Sequence, residues 1–413
     1  MLIENGTVFT GTEFENGLSI RLMNGIVQEV GESLRAEAGE KVIDLEGDYL
    51  LPGFVDVHIH AFRGSDTMRG ETDIRRMSRE LAGTGTGAFC PTTMSASMED
   101  TAKVIDGIRR TIEQPERNGA RVLGAHMEAP FLSEGKAGAQ RKEFFRNPSW
   151  EDLLNMAEDP SLVRLITMAP EKDGSEEFVR KASAAGIHVS IGHTQADAEK
   201  VHEAGDWGAD HITHTFNAQT PLHHREPGVP GASMTDDRFF CEMICDGKHL
   251  HDDIVRLIIL CKGADRAVAI TDAMEAAGMP DGEYSLGGQP VFVKEGAARL
   301  ADFHIFSGLQ AWICPHGFSQ PSAQSALPAL TRRFPLPKRE PAEKQKQCRI
   351  RFFSACMSHP KQHIWESENI SHQVFQQPDT SIFSAQTCDM RTAFETQTEF
   401  FPHLFRDPRH ELL

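Results

Sequence analysis

The chain contains no apolar run approaching the roughly 20 residues that cross a bilayer. Its opening, Met1-Leu2-Ile3-Glu4-Asn5-Gly6, lacks the basic start and apolar segment of a secretory signal. Basic residues are not in excess: 42 Lys and Arg stand against 60 Asp and Glu, a formal net charge of −18. That balance argues against a nucleic-acid or anionic-membrane partner recognised through bulk electrostatics. The eight cysteines form no Cys-x-x-Cys pair. They read as reduced core thiols in a cytoplasmic protein, not as a disulfide framework.

What is present falls into three textures. Residues 1–52 alternate apolar and polar positions around Gly and Asn turns, as in Leu2-Ile3-Glu4-Asn5-Gly6-Thr7-Val8-Phe9, and predict a small β-sandwich portion. Residues 53–302 carry eight strand-length apolar runs: Phe54–His58, Gly87–Pro91, Val122–Glu128, Val163–Ala169, Ile187–His193, His211–Thr215, Phe240–Cys245 and Ala267–Asp272. Segments with apolar residues at helical spacing mostly separate them, including Thr72–Thr84, Glu99–Glu113, Ser175–Ala185, Ala196–Ala204 and Asp252–Lys262. Near-continuous apolar strands alternating with helices predict an α/β fold, a (β/α)8 TIM-like barrel. A doubly wound open sheet is the structural alternative. It would gather its site at one switch point, whereas the polar residues here sit at the ends of many strands.

Residues 303–413 lack what the rest has. They hold two of the chain's 34 glycines, one valine and 12 of its 25 phenylalanines. Prolines at 328, 335, 337 and 341 interrupt any element, and no helical or strand period is present. The expectation for this tail is an irregular, poorly ordered chain.

The chemistry gathers at strand ends. His58 and His60, in Asp56-Val57-His58-Ile59-His60, stand two apart and face the same way on a strand, so both can reach one ion. Glu128 ends the third run, His193 the fifth, His214 lies in the sixth, and Asp272 ends the eighth. One carboxylate with two imidazoles is a ligand set of catalytic zinc sites that keep a position for water. Asp272 then stands where a general base would take a proton. Taken singly, a strand-terminal His is more often structural, and a lone Asp is as often a helix cap. Asp197 and Asp252 read as such caps. His211, three residues from His214, faces the other way; His126 shares the face of Glu128 and is a weaker candidate. His188, His202, His223 and His251 read as structural or surface residues.

Residues 1–302 resemble the amidohydrolase superfamily, and within it the N-acetylglucosamine-6-phosphate deacetylases. The segments are LPGFVDVHIH, GAFCPTT, HMEAPF, KAGAQ, TMAPE, SIGHT, THTFNA, REPG, ICDGKH and TDA, in this order. The resemblance implies a barrel flanked by a small sandwich, with Glu128, His193 and His214 holding a divalent zinc, iron or manganese ion. His58 and His60 would allow a second ion, and Asp272 would accept and return a proton. Ala139 and Gln140 would contact substrate near the acetyl group or sugar. Asn217, Ala218, Arg225 and His249 would grip sugar and phosphate. The implied partners are a sugar-phosphate substrate and, in a homodimer, a second subunit. Another amidohydrolase activity, on cyclic amides or as a deaminase, is the enzymatic alternative; an inactive remnant is the other.

Two departures stand out. Ala129 occupies a position where the family usually has glycine, which would crowd the turn after Glu128. The tail has no counterpart of the family's Gly-Ser loop, Met-Asp helix start or returning strands. A shift of reading frame near residue 302 accounts for this. Read from the third base, the codons of Trp312 and Ile313 force an aspartate, and the preceding codons permit Gly-Ser-Ala-Ser-Met before it.

Overall fold

The structure is a computed structural model. It describes residues 1–10, 13–23, 25–294 and 297–300, and the backbone of 350–353 and 364–365. Eight strands form a nearly closed parallel barrel: Phe54–Ile59, Thr86–Thr93, Ala125–Glu128, Val163–Met168, His188–Ile191, His211–Ile212, Phe240–Ile244 and Ala267–Ile270. They pair in sequence order, each parallel to the next. All eight predicted runs become strands. Shortening occurs where Gly124, at φ 148°, interrupts the third run, and where the sixth is only His211–Ile212.

The seam between the eighth and first strands is made by single bonds. Asp272 N donates to His58 O at 2.8 Å. The Asp56 carboxylate accepts from Thr271 Oγ1 at 2.6 Å and Thr271 N at 3.3 Å. This seam sets His58 and Asp272 side by side, although 213 residues separate them.

Seven α-helices connect the strands among the described residues. Helices Glu71–Ala82, Met98–Glu113, Ser175–Ala184, Ala198–Trp207 and Asp252–Lys262 lie where the periodicity puts them. Trp150–Met156 and Gly228–Thr235 complete the set and were not legible from spacing. Asp197 caps its helix, accepting from Lys200 N at 2.8 Å. Asp252 does not cap: His251 accepts from Asp253 N at 3.2 Å, and Asp252 opens the first turn. There its carboxylate complements the helix dipole instead.

The barrel strands and helices pack around an apolar core that includes Phe89, Phe131, Phe178 and Phe239, and a second cluster of strand residues includes Val55, Cys90, Ile244 and Val268. Cys90 and Cys241 are buried in the core, as expected, whereas Cys261 is exposed on a helix surface. In the N-terminal part, two sheets pack around Ile3, Val8, Ile20, Leu22, Leu45 and Leu50. One runs in the order Ile26–Glu32, Leu18–Met23, Leu2–Glu4, Val42–Asp44; the other contains Tyr49–Pro52, Thr7–Phe9 and Phe14–Asn16.

After the eighth strand, a three-stranded antiparallel sheet (Gly282–Leu286, Gln289–Lys294, Ala297–Leu300) packs on Met94, Ala139 and Met274. The irregular tail expected from residue 303 lies outside the described residues, except for two short strands. Ile350–Phe353 runs parallel to Tyr49–Pro52, and Ile364–Trp365 pairs with it. At those positions the expectation of no returning strand is corrected. No helix among the described residues is long and apolar enough to cross a membrane.

Candidate metal centre

At the C-terminal rim of the barrel, five strand ends deliver their side chains to one buried cluster. Glu128 is its hub. Its Oε1 lies 3.1 Å from His214 Nε2, 3.2 Å from His193 Nε2 and 3.5 Å from His58 Nε2. Its Oε2 lies 3.2 Å from His60 Nε2. His193 Nε2 and His214 Nε2 are 3.1 Å apart. Asp272 Oδ1 stands 3.2 Å from His60 Nε2 and 3.5 Å from His58 Nε2. Glu128 with His193 and His214, and Glu128 with His58 and His60, therefore form two overlapping donor groups.

Several of these residues take up unusual backbone. His193, His214 and Asp272 have φ of 47°, 28° and 46°, and Phe216 and Ala218 have 78° and 50°. Such left-handed residues cost of order 1–3 kcal/mol each and cluster at functional sites. Here they turn the chain at the end of a strand and aim the side chain across the barrel mouth. Ala129, at φ 112°, takes a conformation suited to glycine, so the departure noted in the sequence falls on a strained position.

Three imidazoles are anchored through Nδ1. His60 Nδ1 meets Thr92 O at 3.2 Å, His193 Nδ1 meets Lys136 O at 2.8 Å, and His58 Nδ1 meets Glu242 Oε2 at 3.0 Å. A carbonyl or carboxylate only accepts, so Nδ1 carries the proton and Nε2 faces the cluster.

Donors around a tetrahedral ion with bonds of 2.0–2.1 Å stand roughly 3.3 Å apart. The separations of 3.1–3.2 Å among Glu128, His193 and His214, and of 3.5 Å from Glu128 to His58, match that spacing. His58 Nε2 is buried and makes no hydrogen bond among the described residues, which a cation would remedy. The residues fit a divalent metal.

The electrostatics agree. Burial alone would raise the Glu128 carboxyl; the charges of His58 and His193 and the hydrogen bonds from His193 and His214 outweigh it and hold it well below the usual range. Asp272 is lowered in the same way, against its burial, by His58, His60 and His214. Burial lowers His60, but hydrogen bonds to Asp272 and Glu128 outweigh it and bring it to about 9.

The remaining predicted residues are placed as follows. Gln140 is buried; its Nε2 donates to Glu128 Oε2 at 2.7 Å and its Oε1 accepts from Ser95 N at 2.7 Å. Its amide is therefore engaged with a candidate ligand. Ala139 is buried beside it, its carbonyl accepting from Gln289 Nε2 at 2.7 Å. Asn217 Nδ2 donates to His214 O at 3.3 Å, and Ala218 O accepts from Thr194 N at 3.2 Å. His249 Nδ1 lies 2.8 Å from Asp246 Oδ2. Burial lowers His249, but that bond, with the charges of Asp246 and Asp272, raises it overall. Arg225 is exposed, its backbone N–H on His223 Nδ1 at 3.4 Å.

His126 lies against His58, ring centroids 4.4 Å apart, with Nε2 on Thr167 Oγ1 at 2.8 Å and Nδ1 on Val57 O at 3.0 Å. It supports the cluster from below. Thr167 continues to Thr213 at 2.8 Å and Thr213 to Ser190 at 2.6 Å, a buried hydroxyl chain under the site. Neither this chain nor Glu242 was singled out from the sequence. The signal for Glu242 is an acidic residue in the middle of an apolar strand, Phe240-Cys241-Glu242-Met243-Ile244.

The donor groups gathered at the C-terminal rim of this TIM-like barrel could hold a divalent metal ion. A model of the amidohydrolase family matches residues 49–274, and the chain belongs to that family. Curated relatives that it resembles are named as sugar-phosphate deacetylases. The N-acetylglucosamine-6-phosphate deacetylase of Bacillus subtilis (strain 168) is 37% identical over 308 residues, covering 73% of this chain and 78% of its own. The N-acetylgalactosamine-6-phosphate deacetylase of Escherichia coli O157:H7 is 34% identical over 286 residues, covering 68% and 74%. A Mycobacterium smegmatis N-acetyl-D-glucosamine-6-phosphate deacetylase, solved in complex with N-acetyl-D-glucosamine-6-phosphate, matches with a TM-score of 0.68 at 32% identity, covering 75% and 80%.

Proposed function

We propose that this protein hydrolyses the acetamide of N-acetylglucosamine 6-phosphate to acetate and glucosamine 6-phosphate, in amino-sugar catabolism in the cytoplasm. The observation that carries the reading is the convergence of Glu128, His193 and His214 within 3.2 Å, with Asp272 on the same cluster. The deacetylase relatives supply the substrate class.

Residues 53–302 form the catalytic unit in this reading, beside the sandwich of 1–52 and the atypical tail 303–413. Glu128, His193 and His214 would hold a divalent zinc, iron or manganese ion, and His58 with His60 would extend the centre to a second. When bound, such an ion supplies Lewis acidity toward a carbonyl oxygen and toward water. Asp272, ionised and buried among imidazoles, orients the attacking water and accepts its proton. The same carboxyl returns that proton to the amine nitrogen as the carbon–nitrogen bond breaks. Gln140 holds Glu128 in place through its amide. Asn217, the Ala218 backbone and His249 border the sugar. Arg225 is suited to bidentate contact with the phosphate, within a homodimer.

The test is acetate release from N-acetylglucosamine 6-phosphate by protein reconstituted with zinc, iron or manganese, against chelator-treated protein. Metal-dependent release is expected; none with any of the three ions would refute the reading. Because one relative acts on the galacto epimer, both epimers are assayed, and preference for N-acetylgalactosamine 6-phosphate would reassign the sugar.

A further inference from the structure

We infer that Glu242 is the positioning residue that presents His58 to the metal, and that it acts by accepting the Nδ1 proton of that imidazole. The inference rests on the metal reading above. Glu242 lies on the seventh barrel strand, wholly buried. Among the described residues, one oxygen, Oε2, takes both of its side-chain hydrogen bonds: from His58 Nδ1 at 3.0 Å and from the backbone N–H of His214 at 3.1 Å. The other, Oε1, is buried without a hydrogen-bond partner among the described residues.

The chemistry of the pair is directional. The Oε2 that accepts from the His214 N–H accepts from His58 as well, so the proton stands on His58 Nδ1 and the ring turns Nε2 toward Glu128 and Asp272. Both carboxylates lie 3.5 Å from that Nε2. The same oxygen secures the N–H of His214, whose φ of 28° is among the strained values at the rim. Thr215 N donates to the Glu242 carbonyl at 2.9 Å, so this segment is pinned twice. One side chain thus ties candidate ligands from the first and sixth strands to the seventh.

Stability does not explain the residue. A buried carboxylate with an unsatisfied oxygen is costly, and buried charged groups are often replaced by apolar ones without loss. Partners of this kind, behind a metal-ligating histidine, characteristically tune its orientation and basicity.

The experiment compares wild-type protein with Glu242→Gln, which is isosteric but can either donate to or accept from Nδ1. Zinc affinity is read by competition with a chromophoric chelator, the His58 Nδ1–H resonance by proton–nitrogen NMR on metal-free protein, and metal-free stability by thermal melting. Expected are a roughly 10–100-fold loss of zinc affinity, an upfield shift of the Nδ1–H resonance, and no drop in melting temperature. Unchanged zinc affinity, or a loss matched by destabilisation of the metal-free protein, would overturn the role. Wild-type protein that binds no zinc would overturn the metal reading itself; a resonance shift would then still report the Glu242–His58 contact. If Glu242→Gln does not fold, Glu242→Asp keeps an acceptor-only group. It should retain the downfield resonance and more zinc affinity than Glu242→Ala, and equal affinities in those two variants would refute the inference.

Discussion

Gly192, immediately before His193, has no room for a side chain. A Cβ there would stand 2.5 Å from Thr213 Cβ, 2.9 Å from Thr167 Cγ2 and 2.9 Å from Thr213 Oγ1. Ordinary carbon–carbon contacts are about 3.5–4.0 Å, so relief requires movement of about 1 Å. The neighbours cannot yield freely, because Thr167 and Thr213 are bonded to each other and onward to His126 and Ser190. Gly192→Ala should therefore cost about 1–3 kcal/mol, the range for an overpacked core. At about 2–4 °C per kcal/mol for a large domain, melting should fall by roughly 2–12 °C.

Turnover should suffer more than folding. His193 Nε2 sits 3.2 Å from Glu128, and a displacement near 1 Å at a reacting centre costs roughly 100-fold. The assays are thermal melting and kcat/KM for acetate release. Gly83→Ala is the control. At φ −65°, Gly83 meets only Glu80 O, at 3.4 Å, so the change should stay within about 0.5 kcal/mol. Wild-type melting and turnover in Gly192→Ala would refute the account of how His193 is positioned.

Asp272→Asn should lower kcat by roughly 10²–10⁴-fold, the usual worth of a general acid–base group, while metal content measured by atomic spectroscopy stays near wild type. Equal loss of metal and activity would make Asp272 a ligand and not the proton carrier. Burial raises Asp56 to about 6, against the opposing hydrogen bonds from Thr271 and His58. Because folded Asp56 binds its proton more tightly than the unfolded chain does, its protonation favours folding. That stabilisation is full below about pH 4 and is lost as pH rises through 6, about 3 kcal/mol in all. Urea midpoints measured from pH 4 to 7 should show this loss in wild type but not in Asp56→Asn, and parallel curves would refute it. Arg225→Ala should raise KM for the phosphorylated sugar while leaving turnover of the unphosphorylated one unchanged. Equal effects on both would remove Arg225 from phosphate recognition.

Alternation and periodicity determined much of this protein from the sequence alone. A run such as Val163–Met168, apolar at four of its six positions and buried at all but Arg164, reads as an inner strand covered on both faces. Likewise the two-residue spacing of His58 and His60 sends both rings to one side, whatever the rest of the chain does. Asp197 is legible as a cap because capping is settled within one turn. Tertiary structure alone decided which ends meet and at what distance. Glu242 approaches His58 from 184 residues away, and Gln140 turns its amide to Glu128. The strand-end conformations of His193, His214 and Asp272 also break the alternation from which side-chain direction is inferred. The physical reason is that periodicity is local, fixing which face a residue occupies. The nearly closed barrel, held at its seam by Asp56, Thr271 and the bond from Asp272 to His58, converts shared faces into contacts near 3 Å.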